Sequence, residues 1–240
     1  MLGIGNNFNH NRLISFSRVI KVEGEHQICY RDKEATNLYD MFHIRNLLHQ
    51  RAYQHKTSNS VEIMLAEALV LADEHITFEG ENGIYVRMSD TVKDMKAYTL
   101  LNDGVIHKII ESDREELKKS KEILNRILRR DLYRCVGEKR FAGGTFGKED
   151  DVLNDIKATL TDKPHFKKTV SELDKKDYIV VDVVKLNYGN KDKDPIANVN
   201  FYSKYELNSA KPRDKDDVSL LLPKVFHEQS VRVYCKNQTD

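Results

Sequence analysis

Residues 37–56, NLYDMFHIRNLLHQRAYQHK, contain neither glycine nor proline, and they constrain the fold more than any other stretch. Their length is that of an ordinary α-helix of about 20 residues, roughly 30 Å. At about 100° per residue, Arg45, His49 and Tyr53 fall at i, i+4 and i+8 and form one stripe. Arg51 and His55 form a second stripe, turned roughly 140° from the first by the same arithmetic. Leu38, Met41, Ile44, Leu47 and Leu48 fill apolar positions around and between them. A helix with basic and aromatic rows on two faces can touch two anionic ligands at once. The plain alternative is a solvated basic helix with a pair of histidines satisfied in the core.

The rest of the chain offers this helix a partner of mixed class. A length of 240 residues suits one large domain or two small ones and is enough to bury a real core. Residues 12–19 suggest a short amphipathic helix, and residues 21–30, with Gly24 at the bend, a small hairpin. Asn59 followed by Glu62 resembles a capping box for a helix through Val61, Met64, Leu65, Ala68 and Ala72. Asn82-Gly83 is a hairpin signal. Helices are expected near Ser89 or Asp90, near Asp103, and at Ser112, where Glu115 completes a second capping box. Residues 141–147 read as a glycine-rich loop and 149–160 as a short helix. Residues 178–185, 199–204 and 230–236 are β-rich runs, and the charge run 211–217 reads as a solvated loop. The expected fold is α+β: a mostly helical part over residues 1–130 and a small mixed lobe over 131–240.

Charge and cysteine content exclude some functions. A net charge of +1 gives no global pull toward nucleic acid or anionic membrane, so anion binding must come from local patches. Cys29, Cys135 and Cys235 are far apart without a CxxC pair, and read as reduced thiols rather than a zinc site. No apolar run approaches the ~18 residues of a membrane span. The opening MLGIGNNFNHNRL lacks a signal-peptide layout and enters at once into Gly/Asn-rich loop chemistry, which reads as a chain beginning within a larger fold.

The string MFHIRNLLHQRAYQHK, preceded by RDKEATNLYD, closely resembles the SAM-and-HD-domain deoxynucleoside triphosphate triphosphohydrolases. LGIGNNFNHNRLISFSRV, MKAYTLLND, DLYRCVGE, DVVKLNYGNKDKDPIANVNFYSK and SLLLPKVFHEQSVRVYCK look like successive pieces of the same family, in family order. The resemblance implies hydrolysis of dNTPs to deoxynucleoside and triphosphate by a homo-tetramer that assembles on binding GTP and dNTP activators. It also implies a role in dNTP catabolism and antiviral defence, and a nuclear or cytosolic location. It places Arg45, His49, Tyr53 and Gln54 at the substrate site. Arginine offers a fork of donors to triphosphate oxygens, tyrosine a flat face to sugar or base, and histidine a donor to phosphate or leaving oxygen. Arg12, Arg31, Lys33, Asn37, Arg51, His55 and Lys56, with Arg130, Arg134 and Lys204, match the allosteric nucleotide pockets. Asp40 and His43 match the tetramer contact. Arg134 stands where the family more often has lysine, and Asn9 where it has aspartate.

The family's divalent metal (zinc, iron or magnesium in type) is held by two histidines and two aspartates, including an adjacent His-Asp pair. None of the nine histidines here is followed by aspartate. His10 reads as a turn residue, and His107, His165 and His227 as isolated. The expectation is a C-terminal piece of the HD domain with its following lobe, inactive alone. Two other readings rest on the same residues. One is a non-catalytic regulator binding nucleotide or single-stranded RNA or DNA through Arg12, Arg31, Lys33, Arg51, Lys56 and Arg129-Arg130; the other is a bare oligomerisation module. Arg129-Arg130 also suits a plain helix C-terminus, and Lys204 a solvated strand position.

Overall fold

The computed structural model describes residues 5, 8–142, 151, 154 and 178–236. The fold is α+β, as the sequence predicts. The described residues divide into two compact units: residues up to 55 with 137–142 and 181–233, and residues 56–136 with 178–180 and 234–236. The glycine-rich segment 143–147 and nearly all of the helix expected over 149–160 lie outside the described residues.

The first unit opens with α1 (His10–Ser15), whose first turn is capped by the Asn9 side chain accepting from the Arg12 N–H. The chain then extends rather than continuing as a helix to residue 19. Val19 and Ile20 are β-branched and take places in β1 (Ser17–Val22), which pairs antiparallel with β2 (Glu25–Arg31) from Ser17↔Tyr30 to Val22↔Glu25. The expected hairpin is therefore present with a longer first arm. Strand β2 pairs in parallel with β7 (Asn200–Tyr202), and β7 antiparallel with β8 (Lys211–Pro212). The charge run expected to be a loop thus contributes an edge strand and a short helix, Lys215–Val218, capped by Asp214.

After β2, a 3₁₀ turn at Asp32–Glu34 leads into α2 (Ala35–Leu48). Leu13, Ala35, Leu38, Tyr39, Ile196, Phe201 and Phe226 form the core beneath this helix. Strands β5 (Arg134–Ala142), β6 (Ile179–Asn187) and β9 (His227–Cys235) form a second sheet in the order β5-β9-β6. The sequence pattern predicts β6, β7 and β9 but not β5, whose RCVGEKRFA carries too many charges to read as a strand.

The second unit is built on α3 (Lys56–Ala72) and α6 (Lys118–Leu128). Ser120 donates to the Ala68 carbonyl at 2.7 Å, a contact between two small side chains and a backbone that lets the helices approach closely. Ala68, Ala72, Phe78, Ile109, Leu117 and Leu124 fill the core between them. Asn59 is buried inside α3 and does not cap it, because the helix already begins at Lys56. Strands β3 (Thr77–Glu79) and β4 (Tyr85–Arg87) make the expected hairpin, with Asn82 at φ 57° and Gly83 at φ 73° supplying the left-handed turn. Beyond it come a 3₁₀ segment at Met88–Lys93, α4 (Met95–Leu100) capped by Asp94, and α5 (Gly104–Glu111). Ser112 ends α5 rather than capping the next helix. Its hydroxyl accepts from the Arg114 N–H, and α6 starts from a 3₁₀ turn at Glu115–Leu117.

Helix α6 ends in a Schellman arrangement: the Asp131 N–H donates to the Arg126 carbonyl at 2.9 Å and the Arg130 N–H to the Ile127 carbonyl at 3.0 Å. The left-handed position falls on Arg130, at φ 63°. A side chain there strains the backbone where glycine would not. Arg130→Gly is expected to raise the unfolding free energy by about 0.5–1 kcal/mol, net of the entropy glycine adds to the unfolded chain, in urea denaturation.

Candidate functional site

Three lateral bonds hold α2 against the segment after β6. The Tyr39 hydroxyl donates to Asp194 Oδ2 at 2.7 Å, His43 Nδ1 lies 3.1 Å from the Tyr188 hydroxyl, and Arg45 Nη1 donates to the Asn187 carbonyl at 3.1 Å. Burial and then the Asp194 bond push the Tyr39 hydroxyl far above the usual phenol range, so it stays a donor. Arg45 is thereby fixed at one guanidinium nitrogen with its remaining donors directed elsewhere.

The helix does not run on to residue 56. Residues His49–Tyr53 form a π turn, closed by the Gln54 N–H donating to the His49 carbonyl at 2.7 Å. The extra residue in the turn rotates all later positions by about 100° relative to an α-helix. The stripe Arg45–His49–Tyr53 survives because it ends inside the turn. The second stripe does not, since His55 lies beyond the turn rather than on a helix. Arg45 and Tyr53 line one pocket of about 300 Å³ with Phe8, Met41, Ile44 and Leu48. The His49 ring sits edge-on to Tyr53, with centroids 5.3 Å apart. Tyr53 is 60% exposed, so a flat aromatic face is open beside a fixed guanidinium. Gln54 closes the turn with its N–H and accepts from Arg232 through its carbonyl oxygen.

A second basic cluster forms at the other end of α2. Arg12 Nε donates to Glu34 Oε1 at 2.7 Å, and Asn37 Nδ2 reaches Glu34 Oε2 at 3.2 Å and the Asn9 carbonyl at 3.0 Å. Asn37 Oδ1 accepts the Asn9 N–H at 2.9 Å. The guanidiniums of Arg12 and Arg31 each stand 5.3 Å from the Phe16 ring centroid. The Nε of Arg31 is buried without a hydrogen-bond partner among the described residues. The structure therefore gathers Arg12, Arg31 and Asn37, with Lys33 exposed on the adjoining turn. Arg51 and His55 are exposed in the same unit. Lys204 is exposed too, its Nζ 4.5 Å from the Tyr205 ring centroid. Lys56, Arg130 and Arg134 belong to the second unit.

Sequence reasoning misses Glu34, which is fully buried although it lies in a run of four charges. Its one signal is position, three residues before Asn37 at the start of the helix. It also misses Phe16, and Tyr188 and Arg232, whose partners on α2 and the π turn are distant in sequence. Among the described residues no group of three or more His, Cys, Asp or Glu could hold a metal, so these residues do not fit the divalent ion that the resemblance implies. No helix among them is long and apolar enough to cross a membrane.

Burial, followed by the charge of Arg45, holds the His49 imidazole below its ordinary value. The folded chain takes up this proton less readily than the unfolded chain. Stability is therefore fully present above the unfolded histidine pKa of about 6.5 and falls as the pH drops toward the depressed folded value. His49→Gln is expected to lessen the loss of stability between about pH 7 and pH 5 in paired urea titrations.

No family model matches the chain. It is 45% identical over 236 residues to deoxynucleoside triphosphate triphosphohydrolase SAMHD1 of Xenopus laevis, covering 98% of this chain and 37% of that protein. It is 45% identical over 240 residues to the Gallus gallus protein of the same name, covering 99% and 38%, and 44% identical over 235 residues to that of Homo sapiens, covering 98% and 37%. The chain thus spans under two-fifths of the length of these relatives. From end to end it is similar to one part of the SAM-and-HD-domain deoxynucleoside triphosphate triphosphohydrolases.

Proposed function

We propose that this chain supplies the substrate-clamping helix and the activator-binding surfaces of a dNTP triphosphohydrolase. The observation that carries this reading is the pocket in which Arg45 and Tyr53 stand together over Met41, Ile44 and Leu48. Arg45 offers charge-assisted donors to triphosphate oxygens. Tyr53 lays its exposed face against sugar or base. His49, kept neutral at pH 7 by its depressed pKa, donates one N–H to a phosphate oxygen or the leaving oxygen. Gln54 orders the turn that carries them.

GTP and dNTP activators bind, in this reading, at Arg12, Arg31, Lys33 and Asn37. The cation–π pairs on Phe16 give a base or ribose an aromatic neighbour. Arg51, His55, Lys56, Arg130, Arg134 and Lys204 complete phosphate contacts in the assembled homo-tetramer, and Asp40 and His43 belong to its subunit contact. Residues 1–130 act as part of an HD-type domain and 131–240 as a regulatory lobe. In this reading the chain's own contribution is binding and orientation, and alone it hydrolyses no dNTP, since none of its nine histidines is followed by aspartate.

Equilibrium binding of dGTP and inorganic triphosphate tests this. The chain is expected to bind both, and Arg45→Ala to weaken binding by about 10- to 100-fold, the loss of one or two charge-assisted hydrogen bonds. Equal affinity in parent and variant would overturn the assignment of Arg45. Triphosphate release from dGTP by this chain with divalent metal would overturn its inactivity. Tighter, salt-dependent binding of single-stranded RNA than of dGTP would favour the regulatory reading.

A further inference from the structure

A buried guanidinium stands behind the π turn with no part in the pocket itself. Arg232, on β9, is 5% exposed and directs its fork two ways. Its Nη1 donates to the Gln54 carbonyl oxygen at 2.6 Å, while Nε and Nη2 both donate to Glu138 Oε1 on β5, each at 3.1 Å. The same carboxylate oxygen accepts the Ser230 hydroxyl at 3.0 Å. Burial pushes the Glu138 carboxyl up, but the bonds from Ser230 and Arg232 and the charges of Arg232 and Arg140 carry it below its ordinary value. Four residues earlier on both elements, Gln50 Nε2 donates to Glu228 Oε1 at 3.0 Å. Strand β9 thus grips the π turn at two points, one within it and one at its end.

Stability alone does not account for Arg232. A buried ion pair is often no better than well-packed apolar residues of the same volume. The planar fork does what an apolar side chain cannot: it serves a backbone carbonyl and a carboxylate at once in fixed directions. Gln54 is where such control matters, because its N–H closes the widened turn on His49 and its carbonyl accepts from Arg232.

We propose that Arg232, oriented by Glu138, is a positioning residue that fixes the carboxyl end of the π turn and so sets the His49 and Tyr53 rings beside Arg45. The consequence for ligand binding rests on the function proposed above; the consequence for the turn does not.

Two readouts on the parent chain, R232K, E138Q and the control Leu124→Ala test this. Lysine keeps the charge but cannot hold both acceptors, glutamine keeps the shape of Glu138 but not its charge, and Leu124 lies in the core of the other unit. By NMR, the His49 ring titration, assigned through its absence in H49Q, is expected to move up toward the ordinary histidine range in R232K and E138Q. It is expected to stay in place in L124A, although that variant loses stability too. Inorganic triphosphate is expected to bind about tenfold more weakly to R232K than to the parent, with L124A unchanged. Unmoved His49 and Tyr53 ring signals in folded R232K and E138Q would overturn the proposal; if R232K does not fold, E138Q decides it. A parent that binds no triphosphate would sink the substrate reading, while the His49 titration would still decide the positioning role.

Discussion

The hydrogen bond from the Gln54 N–H to the His49 carbonyl spans five residues where a regular helix spans four, and the geometry of the candidate site depends on that one added residue. The wide turn lets α2 stop without a glycine or a proline. The strand behind supplies a donor at its end, from Arg232 to the Gln54 carbonyl. Tyr53 lies inside the turn, its ring edge-on to His49 and exposed at the pocket lined by Met41, Ile44 and Leu48.

The N-terminal length of α2 is fixed by different means. Leu38 and Tyr39 go into the core, and the segment 187–194 ties the flank at Tyr39, His43 and Arg45. That segment passes close to the helix at Gly189, where φ is 103° and a Cβ would come within 3.1 Å of the Phe42 ring. Only glycine allows the chain so near in that conformation. The result is a helix held firmly at its sides while its end is shaped by the turn.

Local signals in the sequence are legible where they are strong. Asn82-Gly83, the glycine-bent hairpin at residues 21–30 and the apolar period of α3 and α6 need no distant partner to act. The π turn is not legible, because His-Gln-Arg-Ala-Tyr contains good helix formers and no breaker. Nor are Glu34, Glu138 and Arg232, whose bonding partners include residues 22 to 178 positions away. The stripe of Arg45, His49 and Tyr53 can be drawn from spacing, but the pocket it lines also needs Phe8, which spacing cannot bring there. Capping boxes at Asn59 and Ser112 mislead because the motif is satisfied by a four-residue pattern, whereas the real helix starts are set by the turn before α3 and by the 3₁₀ turn before α6.

Glu34 has a consequence that reaches past packing. Its carboxylate is wholly buried and already occupies one edge of the Arg12 guanidinium, whose side chain is 49% exposed. An anion arriving from solvent meets a cation that is half neutralised. A singly charged ion gains little there over its own hydration, whereas a polyphosphate brings enough charge to draw on Arg12, Arg31 and Lys33 together. On the function proposed above, the cluster works as a valence threshold, sorting ligands by how much negative charge they carry and not merely by its sign.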